Sequence, residues 1–406
     1  MRSTNMGWGL AARVAACTCA IACTGTTSQD AAPAPPDGGL SSEGGDARTD
    51  VTPTPQGPPA IGYLGRFDTR DAAGPKASWP GSRVVIRFEG TDLTVRLDDE
   101  LAADKPGPSE WDATIDGAIQ PKFTLVRGPQ DYLVAKGLAP GVHVVELYKR
   151  SESQVGVTQL LGVDYHGGKL LAPPPPPPRR IEIIGDSAAT AFGVDGIGPT
   201  CAGANDAAAY ESFRESWGAI LGTTFGADVH GTSYSGKGLL KNIWRPDTEV
   251  MPRLFTRANP EDDASTFDLS SWLPNVVVVM IGGNDFDVGQ PVDDGPATLD
   301  EFTTAYEGFV ATLRGAYPDA HVYLALSPTL SDDQPLGRAS RTNVKAAIAA
   351  VVSSRSSAGD ARVYASAPGV ATPAEITGCD GHGGAAFHVR VAQELAASIG
   401  PKLGWN

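Results

Sequence analysis

Ile181-Glu182-Ile183-Ile184-Gly185-Asp186-Ser187 is an apolar run that stops in a glycine–aspartate–serine turn. A serine at the end of a strand, on a strand-to-helix turn, projects into the crevice at the carboxyl ends of a parallel sheet, where open α/β folds bind ligands. Ser187 is therefore a candidate nucleophile. The chain on either side decides whether such a sheet exists.

Downstream of Arg180, buried strands alternate with amphipathic helices, which predicts an α/β domain over residues 181–406. Strands are expected at Ile181–Ile184, Val229–Ser233, Val276–Ile281, Val322–Leu326 and Val363–Ala365. The unbroken Val276-Val277-Val278-Val279-Met280 suits a strand covered on both faces. Between strands, Leu299, Phe302, Tyr306, Phe309, Val310 and Leu313 recur at helical steps before the stop at Pro318. A last helix is expected from about Ala386 to Ile399.

Upstream, six consecutive prolines, Pro173–Pro178, form a polyproline II spacer, and residues 173–180 are read as an interdomain linker. Before it, residues 61–172 carry period-two runs separated by glycine turns, the signature of antiparallel strands. Examples are Val84–Phe88 and Leu93–Leu97 around Glu89-Gly90-Thr91-Asp92, with further candidates at Ala113–Ile115, Lys122–Val126, Val142–Tyr148 and Gln159–Val163. Their spacing is that of a β-sandwich. Residues 24–60, rich in Ala, Pro, Gly, Ser and Asp, read as a tether.

Arg2 and Arg13 followed by the short apolar stretch Val14–Ala22 make residues 1–23 an expected export signal, too short to span a bilayer. Small residues before Cys23 suggest lipidation there, so the expected membrane contact is a lipid anchor at the cell envelope; plain secretion is the alternative. Export places Cys201 and Cys379, the remaining cysteines, in an oxidising compartment where a disulfide between them is expected. A formal charge of −15 argues against a nucleic-acid partner, while 41% hydrophobic residues allow a sizeable core.

Ester hydrolysis by serine needs a nucleophile, a base and donors for the oxyanion of the tetrahedral intermediate. Ser187 supplies a hydroxyl and a free backbone N–H. Gly236, after the strand at 229–233, lets a backbone N–H approach an oxygen with no Cβ in the way. Asn284, in Gly282-Gly283-Asn284-Asp285 after the strongest strand, can aim its amide at the same point, and His382, before the last helix, is the candidate base. Each alone is an ordinary turn or loop residue; the order and placement of the four carry the reading. Trp244 can stack on a sugar ring or pack in the core. Cys379, Asp380 and His382 lack a further ligand spaced to finish a tetrahedral metal site, so no metal is expected.

That ordered set, Ser187, Gly236, Asn284 and His382, resembles the SGNH (GDSL-like) hydrolase superfamily. A preceding sandwich with Trp79-Pro80-Gly81-Ser82, Gly141-Val142-His143 and Lys149-Arg150-Ser151-Glu152 looks like carbohydrate esterase family 2. So do Ser235-Gly236-Lys237-Gly238-Leu239, Asn284-Asp285-Phe286 and His388 beyond His382; the resemblance runs from about residue 61 to 400. It implies a jelly-roll-like antiparallel sandwich followed by a three-layer α/β/α domain. It also implies removal of O-acetyl groups from polysaccharides such as xylan or glucomannan, without a metal or other cofactor, through a Ser187–His382 acyl-enzyme mechanism. The alternatives are an esterase or lipase for another acyl group and a surface carbohydrate-binding protein without activity.

Two departures stand out. Most of the superfamily has an aspartate three residues before the histidine, where this chain has Cys379; Asp380 is the nearest acid, and either its carboxylate or a backbone carbonyl orients the ring. Gly381 and Gly383 also replace the family's flanking aromatic residue and proline, which predicts a mobile loop and a missing substrate wall.

Overall fold

The computed structural model describes residues 61–100, 107–196, 201 and 207–405. The expectations for the export signal, for Cys23 and for the tether lie outside the described residues.

Five parallel strands form the sheet that carries the Gly-Asp-Ser turn: β1 Arg179–Gly185, β2 Ala227–Ser233, β3 Val276–Met280, β4 His321–Ala325 and β5 Val363–Ser366, in spatial order 2-1-3-4-5. The order in which successive strands are added reverses between β1 and β3, and a crevice opens outside the strand ends at such a switch point. Register makes the crevice sharp. Gly185 pairs with both Ser233 and Met280, so the turns after β1, β2 and β3 leave the sheet at one level.

Helices cover both faces of the sheet. On one, α2 (Trp217–Phe225) and α5 (Ala385–Leu403) set Leu221, Phe387, Val391 and Leu395 against Ile181, Ile183, Val276 and Val278. On the other, α3 (Leu299–Ala316) and α4 (Ser340–Ser357) set Phe302, Tyr306, Leu313 and Val344 against Val277, Val279, Val322 and Leu324. Strand β3 is buried at every position because alternate valines face opposite helix layers. A capping box fixes the start of α3, Thr298 and Glu301 each bonding the other's backbone N–H.

The preceding region is a sandwich of two antiparallel sheets. One centres on Arg83–Gly90, Gly141–Lys149 and Glu110–Ile115; the other on Val157–Asp164, Leu93–Glu100 and Gly128–Ala135. Leu93, Val95 and Leu97 point inward, alternating with Thr94, Arg96 and Asp98, and meet Ile86, Phe88, Trp111, Val145 and Leu147 of the opposite sheet.

Some boundaries differ from those the sequence pattern predicts. Strand β1 begins at Arg179, inside the expected linker, because both arginines pair with β2. Gly128–Ala135 is a full strand that the pattern hides: it starts Gly-Pro and exposes Gln130 and Asp131, yet it pairs with Leu93–Asp99. Of Lys122–Val126 only Phe123–Thr124 is extended in a ladder.

The described residues form one compact unit. Trp79 of the sandwich is packed in the core over α3 and donates its indole N–H to Arg257 O at 3.1 Å. Arg66 pairs with Glu182 of β1, both side chains at most 1% exposed, and lies over the Phe255 and Phe267 rings. Among the described residues no helix is long and apolar enough to cross a membrane.

Candidate active site

Ser187 opens a one-turn helix, α1 (Ser187–Thr190), capped by Asp186, whose carboxylate accepts the Ala188 N–H at 3.1 Å. Thr190 returns its hydroxyl to Ser187 O at 3.1 Å. From across the crevice His382 places Nε2 2.8 Å from Ser187 Oγ. Its Nδ1 lies 3.0 Å from the carbonyl oxygen of Cys379. A carbonyl only accepts, so Nδ1 carries the proton and Nε2 presents the lone pair to the serine hydroxyl.

Of the two candidates for orienting the ring, the Asp380 carboxylate and a backbone carbonyl, the carbonyl of Cys379 is the one within hydrogen-bond reach. Asp380 sits in the left-handed region at φ 51 inside the short turn Cys379–Gly381, and its carboxylate makes no hydrogen bond to the ring. The turn instead folds the preceding carbonyl onto Nδ1. Burial lowers the pKa of His382; the Cys379 carbonyl and the Asp380 charge oppose that shift.

Gly236 has φ +78, a conformation that favours glycine, and Ile243 N–H holds its carbonyl at 2.8 Å. Among the described residues nothing accepts the Gly236 N–H, and Ser187 N–H is an orphan of the first helical turn. Asn284 gives one amide hydrogen to Lys237 O at 2.9 Å, and among the described residues nothing accepts the other. Asp285, fully buried, accepts Leu239, Leu240 and Lys241 N–H at 3.0, 2.7 and 2.9 Å, locking the loop after Gly236 to the one bearing Asn284.

Ser187, Asn284, Asp186 and His382 line a cleft of about 220 Å³ walled also by Leu330 and Pro335. Asp380 lines it too, whereas Gly236 and Trp244 stand outside it. Trp244 is 52% exposed, which removes the core-packing reading of this residue. Burial pushes Asp186 up to about 7, aided by the charges of Asp285 and Glu152.

Cys201 and Cys379 are joined as a disulfide, Cα atoms 5.2 Å apart. It ties the histidine turn to the segment that follows α1. Gly383 owes its identity to packing: a Cβ there would lie 2.2 Å from the Phe387 ring. Phe192, just beyond α1, sets its ring 4.9 Å from the imidazole and supplies an aromatic neighbour absent from the histidine's own flanks. His388 accepts the Trp217 N–H on Nδ1 at 3.2 Å and is held neutral by burial, its pKa down to about 3, so it braces α5 against α2.

The architecture is that of a serine ester hydrolase with an SGNH-type parallel sheet and a leading sandwich. Residues 63–175 match the family described as "Carbohydrate esterase 2 N-terminal", and residues 183–389 match the "GDSL-like Lipase/Acylhydrolase family". A family two carbohydrate esterase from Clostridium thermocellum, solved with cellohexaose, superposes with a TM-score of 0.76 at 31% identity, over 85% of this chain and 100% of that one. Cellulase/esterase CelE of Acetivibrio thermocellus is 33% identical over 86% of this chain, which spans only 40% of that relative's length. An acetylxylan esterase / glucomannan deacetylase of Cellvibrio japonicus is 26% identical, over 68% of this chain and 74% of its own. The chain belongs to the GDSL-like acylhydrolases and, within them, to the family two carbohydrate esterases.

Proposed function

We propose that this protein is a carbohydrate O-acetyl esterase acting on polysaccharides such as xylan or glucomannan. The observation that carries the reading is the Ser187–His382–Cys379 relay, with Nε2 2.8 Å from the hydroxyl and Nδ1 3.0 Å from a carbonyl. His382 takes the Ser187 proton as Oγ attacks the acetyl carbonyl. Electrons move onto the carbonyl oxygen, which receives the Ser187 and Gly236 N–H groups and the other amide hydrogen of Asn284. Collapse expels the sugar alkoxide, which takes the proton from His382; water, activated by the same imidazole, then releases acetate and restores Ser187.

A cleft of about 220 Å³ with Leu330 and Pro335 in its wall suits a short acyl group. The exposed indole of Trp244 offers a face for a sugar ring of the polymer. Polymeric substrate fits an exported enzyme, with Cys23 as the site of a lipid anchor. Turnover of acetyl through octanoyl esters tests the acyl reading: activity falling steeply beyond acetyl supports it, and a flat profile favours another acyl substrate.

A further inference from the structure

The sandwich contributes Glu152 directly to the loop that bears the oxyanion glycine. It leaves the sandwich in Lys149-Arg150-Ser151-Glu152 and is buried, with Oε2 accepting the backbone N–H of Ser235 and Oε1 accepting Gln154 Nε2 at 2.7 Å. Its own N–H is donated to Glu211 Oε2 at 3.1 Å. Ser235 Oγ in turn meets Thr190 Oγ1 at 3.3 Å, and Thr190 bonds Ser187 O.

The direction of the Gly236 N–H is set by the peptide between Ser235 and Gly236. Its neighbours on both sides are held: Glu152 grips Ser235 N–H, and Ile243 N–H grips Gly236 O at 2.8 Å. Among the described residues, the N–H of the intervening peptide is unclaimed. An oxyanion donor misplaced by even about 1 Å loses most of its effect on the barrier.

We propose that Glu152 is a positioning residue for catalysis, which makes the sandwich a working part of the oxyanion hole rather than only a brace. This rests on the esterase reading above. A positioning role predicts a loss in turnover rather than in substrate affinity, because Glu152 is fully buried and does not line the cleft.

The experiment compares kcat and KM for a short acetyl ester in the full chain carrying Glu152→Ala, Glu152→Gln or Glu152→Asp, with Ser187→Ala as control and thermal melting of each. Glu152→Ala and Glu152→Asp, which remove or retract the acceptor, should lower kcat by about 10- to 100-fold with KM within about twofold. Glu152→Gln keeps an acceptor oxygen in place and should restore most of the turnover. Should Glu152→Ala fail to fold, the Gln and Asp variants decide. Equal kcat in folded Gln and Asp variants, or a change confined to KM, overturns the inference. An active Ser187→Ala variant overturns the esterase reading instead.

Discussion

His382 gives its Nδ1–H to the carbonyl of Cys379, 3.0 Å away, and the sulfur of that same cysteine is bonded to Cys201. One residue thus orients the base and anchors its turn to the chain beyond the nucleophile. The arrangement replaces a carboxylate with a neutral dipole behind the imidazole, and it makes the ring's position depend on a covalent tether.

Asp380 is the first point to test. With a carbonyl on Nδ1, Asp380→Asn should keep kcat/KM within about tenfold of the parent, since only a solvent-side charge is lost. A triad acid removed in this way costs on the order of 10⁴ in kcat, and a fall of that size would restore Asp380 to the triad.

Reducing the Cys201–Cys379 disulfide frees the histidine turn while leaving the sheet and its two helix layers untouched. Turnover should fall at least several-fold at reductant concentrations that leave the circular dichroism and melting temperature of the main transition unchanged. Activity and structure lost together would contradict a local role.

Asn284→Ala removes an oxyanion donor that acts only as charge develops. The expected result is a loss of about 10²- to 10³-fold in kcat, with melting close to the parent's. Near-normal turnover would take Asn284 out of the site.

The pH profile carries a sign. Burial depresses His382 below its ordinary 6.5, so the neutral, base-competent form persists to lower pH. The acid limb of kcat/KM, which reports the free enzyme, should have its midpoint below 6.5. A midpoint above 7 would mean the imidazolium is stabilised and the carbonyl is not its main partner.

Arg66 and Glu182 close the seam between sandwich and sheet in a pair at most 1% exposed. Arg66→Ala strands a buried carboxylate and should cost about 3–5 kcal/mol in urea unfolding; an unchanged midpoint would show the seam is held by Trp79 and its neighbours alone.

Much of this was legible in the chain, and the reason is local. Strand β3 announces itself as four valines and a methionine, and the turns after β1 and β3 follow apolar runs. The partners of the site were hidden because they are distant in sequence. Glu152 meets Ser235 across 83 residues, and nothing in Lys149–Glu152 signals that its carboxylate enters the other domain. The choice between Asp380 and a backbone carbonyl was hidden for a related cause: both lie beside His382 in sequence, and it is the positive φ at Asp380 that turns the carbonyl of Cys379 toward the ring. Phe192 likewise supplies, from just beyond α1, an aromatic neighbour sought beside the histidine.

The central claim is that Ser187 is the nucleophile of a polysaccharide deacetylase, and release of acetate from acetylated xylan and acetylated glucomannan tests it most directly. The account predicts release by the parent protein and none by Ser187→Ala at equal folded concentration. Acetate released at the parent rate by Ser187→Ala, or no release from either polymer by the folded parent, would contradict it.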